Sequence, residues 1–191
     1  RFRIAQMQGR APSGVFKDSA RRNDLALLER WNAQAKESGA QPLGEMLEVR
    51  MGAADEFARA AFTLDPLIFE VGVSEPDGKV RKRRVRIQGT LDLLHRKGID
   101  GPFNVALHAV AREKPKGADF LRLALTTTVL AAAGQPLAHE FTAALLLNAG
   151  KPKHNARARQ INPPGRDEAS EYLRVLASDL LSTGNDRFIP I

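Results

Sequence analysis

The sequence predicts an α/β (α+β) domain, a mixed sheet flanked by helices, and three features carry that expectation. The longest alternating stretch is residues 80–94, VRKRRVRIQGTLDLL. In a strand it puts Val85, Ile87, Leu91 and Leu93 on one side and Arg84, Arg86, Gln88, Thr90 and Asp92 on the other. LIFEVGV (67–73) precedes it, and the Asp77-Gly78 pair between the two is a turn signal, so the pair reads as a β-hairpin. Near the end of the chain, Ala169, Tyr172, Leu173, Leu176, Ala177, Leu180 and Leu181 follow the i, i+3, i+4, i+7 rule of an amphipathic helix. The order helix, hairpin, strand, helix, strand, helix then suggests a sheet with helices packed on it.

Taken in order, residues 1–18 read as an irregular entry segment with Pro12 and Gly14. A helix is expected over 19–38, with Leu25, Leu28, Trp31 and Ala35 on one stripe and Gly39 as its stop. Residues 42–64 are ambiguous: 53–62 fits a short helix, and 45–51 fits helix or strand. Within the hairpin arm, Gly89 interrupts the apolar face and suggests a bulge or a close backbone approach. FNVALHAVAR (103–112) reads as the next strand and EKPKG as a loop. Asp119 is placed to cap a helix that runs to Ala133 and ends at Gly134. HEFTAALLLNA (139–149) is short and apolar, which fits a buried strand, with a helix as the alternative. Residues 150–165 read as a long basic loop, and Gly184 ends the last helix. The expected organisation is an N-terminal irregular and helical segment (1–66) packing on a core domain (67–191).

Composition narrows the partners. The 191 residues carry a net charge of +7 and are 43% hydrophobic, enough for a real core. Such a charge favours an anionic partner, most simply nucleic acid. There is no cysteine, which excludes disulfides and thiolate metal sites and fits a reducing, cytoplasmic setting. No apolar run reaches the roughly 18 residues of a membrane span. The chain opens on Arg1 without a signal-peptide pattern, as a piece cut from a longer protein would.

One arm of the hairpin is basic at six of eight positions: Lys79, Arg81, Lys82, Arg83, Arg84 and Arg86. An aspartate ending such an arm is the outline of a Mg²⁺-dependent nuclease of the PD-(D/E)xK class. There, one Asp ligates the metal, and the next strand supplies an acid and, two residues on, a Lys. The spacing matters because i and i+2 on a strand face the same way, and the metal needs converged carboxylates. Asp92 in GTLD fits the first role. The next strand reads HAVAREKPKG, and no register puts an acid two residues before a cation. Placing Arg112, Lys114 or Lys116 in the Lys role puts Val110, Arg112 or Lys114 in the acid role. Glu113 is followed two residues on by Pro115. A degenerate site is therefore expected: no catalytic residue, a vestigial Asp92, and no metal or other cofactor.

Four stretches resemble a known family. GRAPSGVFKD (9–18), VRIQGTLDLL (85–94), KGADFLRLALTTTVLAAAG (116–134) and INPPGRDEASEYLRVLASDLLSTGNDRFIPI (161–191) are similar, in order and spacing, to the C-terminal domain of RecC, the gamma subunit of exodeoxyribonuclease V. The resemblance implies a PD-(D/E)xK nuclease-like fold that has lost catalysis. It also implies RecB-like and RecD-like partner subunits carrying helicase and nuclease activity, and a role in guiding separated strands in double-strand break repair. The chain departs from the family in the threonine run at 126–128 and in the basic stretch 150–165.

Each of these features has a plainer reading beside the functional one. Asp92 is a vestigial site residue or a polar strand residue bonded to Arg86 or Gln88. The basic arm, together with Lys151, Lys153, Arg157 and Arg159, meets DNA phosphates or forms a solvated face that discourages edge pairing. His95, His108, His139 and His154 lack metal-ligand spacing and are assigned to structure or surface, and Trp31 to the core. Two other functions remain open. One is an active Mg²⁺ nuclease using Asp92 and Glu113, and the other is a basic domain with protein partners only.

Overall fold

The computed structural model describes residues 16–37, 43, 46–52, 62–75, 77–96, 98, 100–148 and 157–182. The elements run α1 (Phe16–Glu37), β1 (Leu47–Met51), β2 (Phe62–Leu64), β3 (Leu67–Ser74), β4 (Val80–Ile87), β5 (Gly89–Arg96), β6 (Phe103–Val110), α2 (Gly117–Ala132), β7 (Leu137–Leu147), β8 (Arg157–Ile161) and α3 (Arg166–Leu181). Six strands form a mixed sheet in the order β2-β1-β5-β6-β7-β8, and β3 and β4 form a separate two-stranded ribbon. The fold is thus mixed α/β, with helices flanking the sheet. The expected short helix at 53–62 falls outside the described residues except at Phe62, which opens β2. The expected stops at Gly39 and Gly184 also lie outside them.

Period-2 side-chain alternation builds the two faces of the sheet. Along β7, Phe141, Leu145 and Leu147 join the core under α2, while Ala144 and Leu146 join a second cluster with Ala35 and Trp31 of α1. β7 is buried on both faces, so it reads as one apolar run. That is why strand and helix could not be separated there by periodicity. Phe103 and Phe141 are fully buried, each stabilising the fold by about 1.5–3 kcal/mol.

On the other face, α1 is held by a polar clamp. The buried Gln34 amide accepts from the Leu147 N–H at 2.9 Å and donates to its C=O at 2.7 Å. The expected stripe of α1 holds only at its C-terminal end. Ala35 is buried and Trp31 half-buried, but Leu25 and Leu28 are exposed.

Two expectations change and one open alternative is resolved. The 80–94 stretch is two strands, not one. Gly89, at φ 150°, breaks it in a conformation that disfavours other residues, so β4 stays with β3 while β5 enters the large sheet. The ambiguous 47–51 segment is strand β1, hydrogen-bonded to β5, so residues 47–64 supply two strands of the same sheet as the core. The basic stretch 150–165 contains a strand, β8, which pairs antiparallel with β7 and closes the sheet edge. Loop residues could not be told from a polar edge strand by composition alone, because edge strands are charged for the same reason loops are.

α2 lies over β5, β6 and β7, and α3 packs on α2 and on β3. The end of α2 is a full Schellman motif. The Gln135 N–H bonds to the Leu130 C=O and the Gly134 N–H to the Ala131 C=O, with Gly134 at φ 68°. Among the described residues, no helix is long and apolar enough to cross a membrane.

Candidate functional site

β5 is the third strand of six, and α2 crosses above it. The β5–β6 register pairs Leu93 with Leu107 and Leu94 with Ala106, which sets Asp92 opposite His108. Asp92 shares the inner face with fully buried Leu94, and its side chain is 1% exposed. Asp92 lies on the face opposite Leu93, as the alternation expects, but that face is buried too, because β5 is an interior strand with Leu94 in one core cluster and Leu93 against the other.

Asp92 is bonded neither to Arg86 nor to Gln88. Its Oδ1 accepts from Arg122 Nε at 2.8 Å and lies 2.9 Å from His108 Nδ1, and its Oδ2 accepts from Thr126 Oγ1 at 3.0 Å. The other ring nitrogen of His108, Nε2, lies 3.4 Å from Asp119 Oδ1. Asp119 in turn accepts from the Arg112 guanidinium and, at 2.7 Å, from the Lys116 backbone N–H. The result is an alternating row: Arg122, Asp92, His108, Asp119, Arg112. Buried charge is costly unless paired, and here each carboxylate sits between two cationic or ionisable partners.

The helix supplies half of this row by simple periodicity. Asp119, Arg122 and Thr126 recur at i, i+3 and i+7, so all three point from α2 toward the sheet. Asp119 stands at N3 and bonds back to the cap residue Lys116, so the cap that sequence reading expected is displaced by three residues. Burial raises the Asp119 carboxyl, but the Lys116 N–H and the Arg112 guanidinium outweigh it, with His108 adding to them. The carboxyl is held below its ordinary value. Within the threonine run, Thr126 reaches Asp92, whereas Thr127 and Thr128 bond back to the carbonyls of Leu123 and Ala124.

A magnesium ion takes oxygen ligands in near-octahedral order. The oxygens of Asp92 face a guanidinium, an imidazole and a hydroxyl instead, so the residues present do not fit a metal. Among the described residues, no group of three or more His, Cys, Asp or Glu is arranged to hold one. The second carboxylate of the cluster is Asp119. Glu113 is exposed in the bend after β6. His108, assigned from sequence to structure or surface, is the hinge of the row. Only the pairing register, which sequence does not print, could have brought it to Asp92.

The basic residues fall into separate places. On the ribbon, Arg81 and Arg83 share a face with Val71, Val73 and Phe69, the face that α3 covers. Lys82, Arg84 and Arg86 share the other face with Glu70 and exposed Ile68. Arg83 pairs with Glu75 at 2.8 Å and Lys79 with Asp77 at 3.6 Å, while Glu70 stands directly across from Arg84. Arg159 is exposed on the edge strand β8, and the Arg157 backbone pairs with Leu145 in the same ladder. Lys151 and Lys153 lie outside the described residues. Comparison of the chain with family models, with curated proteins and with solved structures gives no match.

Proposed function

We propose that the chain is a non-catalytic, PD-(D/E)xK nuclease-like domain of a RecBCD-type (exodeoxyribonuclease V) complex. It scaffolds RecB-like and RecD-like helicase and nuclease subunits and guides separated DNA strands in cytoplasmic double-strand break repair. One observation carries the loss of catalysis. Asp92, which this reading takes as the vestigial metal ligand, stands on an interior strand with its two oxygens occupied by Arg122, His108 and Thr126. The neighbouring strand offers His108 and then Val110 where an acid and a Lys belong. A buried aspartate already neutralised by a guanidinium has little left to give a divalent cation. The DNA role is supported by the net charge of +7 and by the exposed cations of β4.

The test is direct. The chain is incubated with a tailed DNA duplex and Mg²⁺ or Mn²⁺, and binding is titrated at several salt concentrations. No cleavage is expected, with sequence-independent binding that weakens steeply as salt rises. Metal-dependent cleavage abolished by Asp92→Ala would establish an active nuclease instead. Absence of DNA binding even at low salt would leave only the scaffolding role.

A further inference from the structure

We infer that Arg112 and Arg122 are two phosphate contacts for a DNA backbone that crosses this face of the charge row. The inference rests on the nuclease-like reading above and gives the degenerate site a positive role. The two guanidiniums terminate the row of alternating charges, and each is anchored from below by a buried carboxylate: Arg122 by Asp92 and Arg112 by Asp119. The carboxylates are 1% and 7% exposed, whereas the arginine side chains are 41% and 40% exposed. The anions are thus hidden and the cations face water. A ligand arriving at this surface meets guanidinium and not carboxylate.

The donor inventory points the same way. A guanidinium carries five N–H donors in a planar fork matched to phosphate oxygens. Arg122 meets Asp92 through Nε, and 41% of its side chain is exposed. Arg112 meets both oxygens of Asp119 through one terminal nitrogen, and its Nε–H is buried without an acceptor among the described residues, so its other terminal nitrogen is the donor left for a ligand. Anchored guanidiniums lose little further freedom on binding, the condition under which an arginine fork holds phosphate well. The setting adds to this. The bend after β6 continues through exposed Lys114 and Lys116 into the first turn of α2, whose N-terminal N–H groups favour anions. At Gly117 in that turn a β-carbon would meet nothing within 4 Å, so a sugar-phosphate chain has open space beside the backbone. An arginine has no bond to break here. Each arginine binds a backbone phosphate and does no chemistry.

The experiment measures binding of a single-stranded oligothymidylate to the wild-type chain and to Arg112→Gln, Arg122→Gln, Arg112→Lys and Arg122→Lys, across a range of salt. Urea midpoints check that each variant is folded. Each Gln variant is expected to weaken binding and to flatten the log–log salt slope by about 1. The Lys variants, which preserve the charge and the carboxylate anchor, are expected to retain the slope but still lose affinity, because the fork is gone. Should a Gln variant fail to fold, its Lys partner and the Nε–H resonances of Arg112 and Arg122 during an oligothymidylate titration carry the test. Wild-type binding with unchanged slope and affinity in the variants, and unmoved Nε–H signals, overturns the site while leaving the DNA-guiding reading in place. A wild-type chain that binds no oligothymidylate overturns both.

Discussion

The sign of the stability change in Asp92→Ala separates a structural charge row from a dormant metal site. In an active metal site, carboxylates converge and repel one another without the ion, so removing one stabilises the fold. Here Asp92 receives Arg122 Nε at 2.8 Å, Thr126 Oγ1 at 3.0 Å and faces His108 Nδ1 at 2.9 Å. Alanine strips all three. Thr126 is only 3% exposed and its hydroxyl is left without its acceptor, a cost of about 1–3 kcal/mol. Arg122 turns into solvent at small cost, since 41% of its side chain is already exposed. His108, at 15%, keeps Asp119 on its other nitrogen. The small cavity left by the carboxylate adds to the hydroxyl's cost, for a total loss of roughly 2–4 kcal/mol. Asp92→Asn keeps an acceptor for Thr126 and the side-chain volume, and loses roughly half as much. Urea unfolding at neutral pH, with an unchanged m-value, reads both numbers. In a chain of this length, 3 kcal/mol corresponds to a fall of about 6–12 °C in Tm. A stabilised Asp92→Ala variant, or an Asn variant worse than Ala, would refute the reasoning.

Two further outcomes follow from the same geometry. Asp119 is held below its ordinary value, so its contribution to stability is present above the pKa of an unfolded Asp, about 3.9, and is lost as pH falls through the lower folded value. The stability gap between wild type and Asp119→Asn should therefore be constant near neutrality and shrink below about pH 4, and a gap independent of pH would remove Asp119 from the acid response. On the ribbon, reversing Lys82, Arg84 and Arg86 to Glu should flatten the salt slope of DNA binding by about 2 or more while leaving the urea midpoint nearly unchanged. The Arg81 and Arg83 pair should matter less, since that face is turned toward α3 and Arg83 is engaged by Glu75. Equal effects from both faces would show that the ribbon meets DNA edge-on, and no effect from either would take it out of the DNA path.

The readable parts of the sequence were those where local chemistry and tertiary demand coincide. The hairpin turn at Asp77-Gly78 was legible because the Asp77 side chain bonds the Lys79 N–H within the turn itself. The last helix was legible because Ala169, Leu173 and Ala177 of its stripe are buried against the core, although Tyr172, Leu180 and Leu181 of the same stripe are exposed. Helix α1 is similar. Its propensity gave a helix, but the apolar stripe overstated burial, since Leu25 and Leu28 are left in solvent. The 80–94 stretch failed at Gly89, where a single residue moves the chain between sheets.

The residues of the charge row were visible in the sequence but their convergence was not, for a physical reason. A missing acid–x–Lys pair can be read along one strand, because i and i+2 share a face by local geometry. What replaces it depends on β5–β6 register and on how α2 lies across the sheet, both of which are long-range. The threonine run and His108 were visible as residues, but nothing local tied them to Asp92. Once register and helix placement are fixed, the cations are hard to read as incidental. Two buried carboxylates need compensating charge, and Arg112, Arg122 and His108 stand where they supply it. Had the site been relieved of function entirely, apolar residues of similar volume would have served stability as well or better.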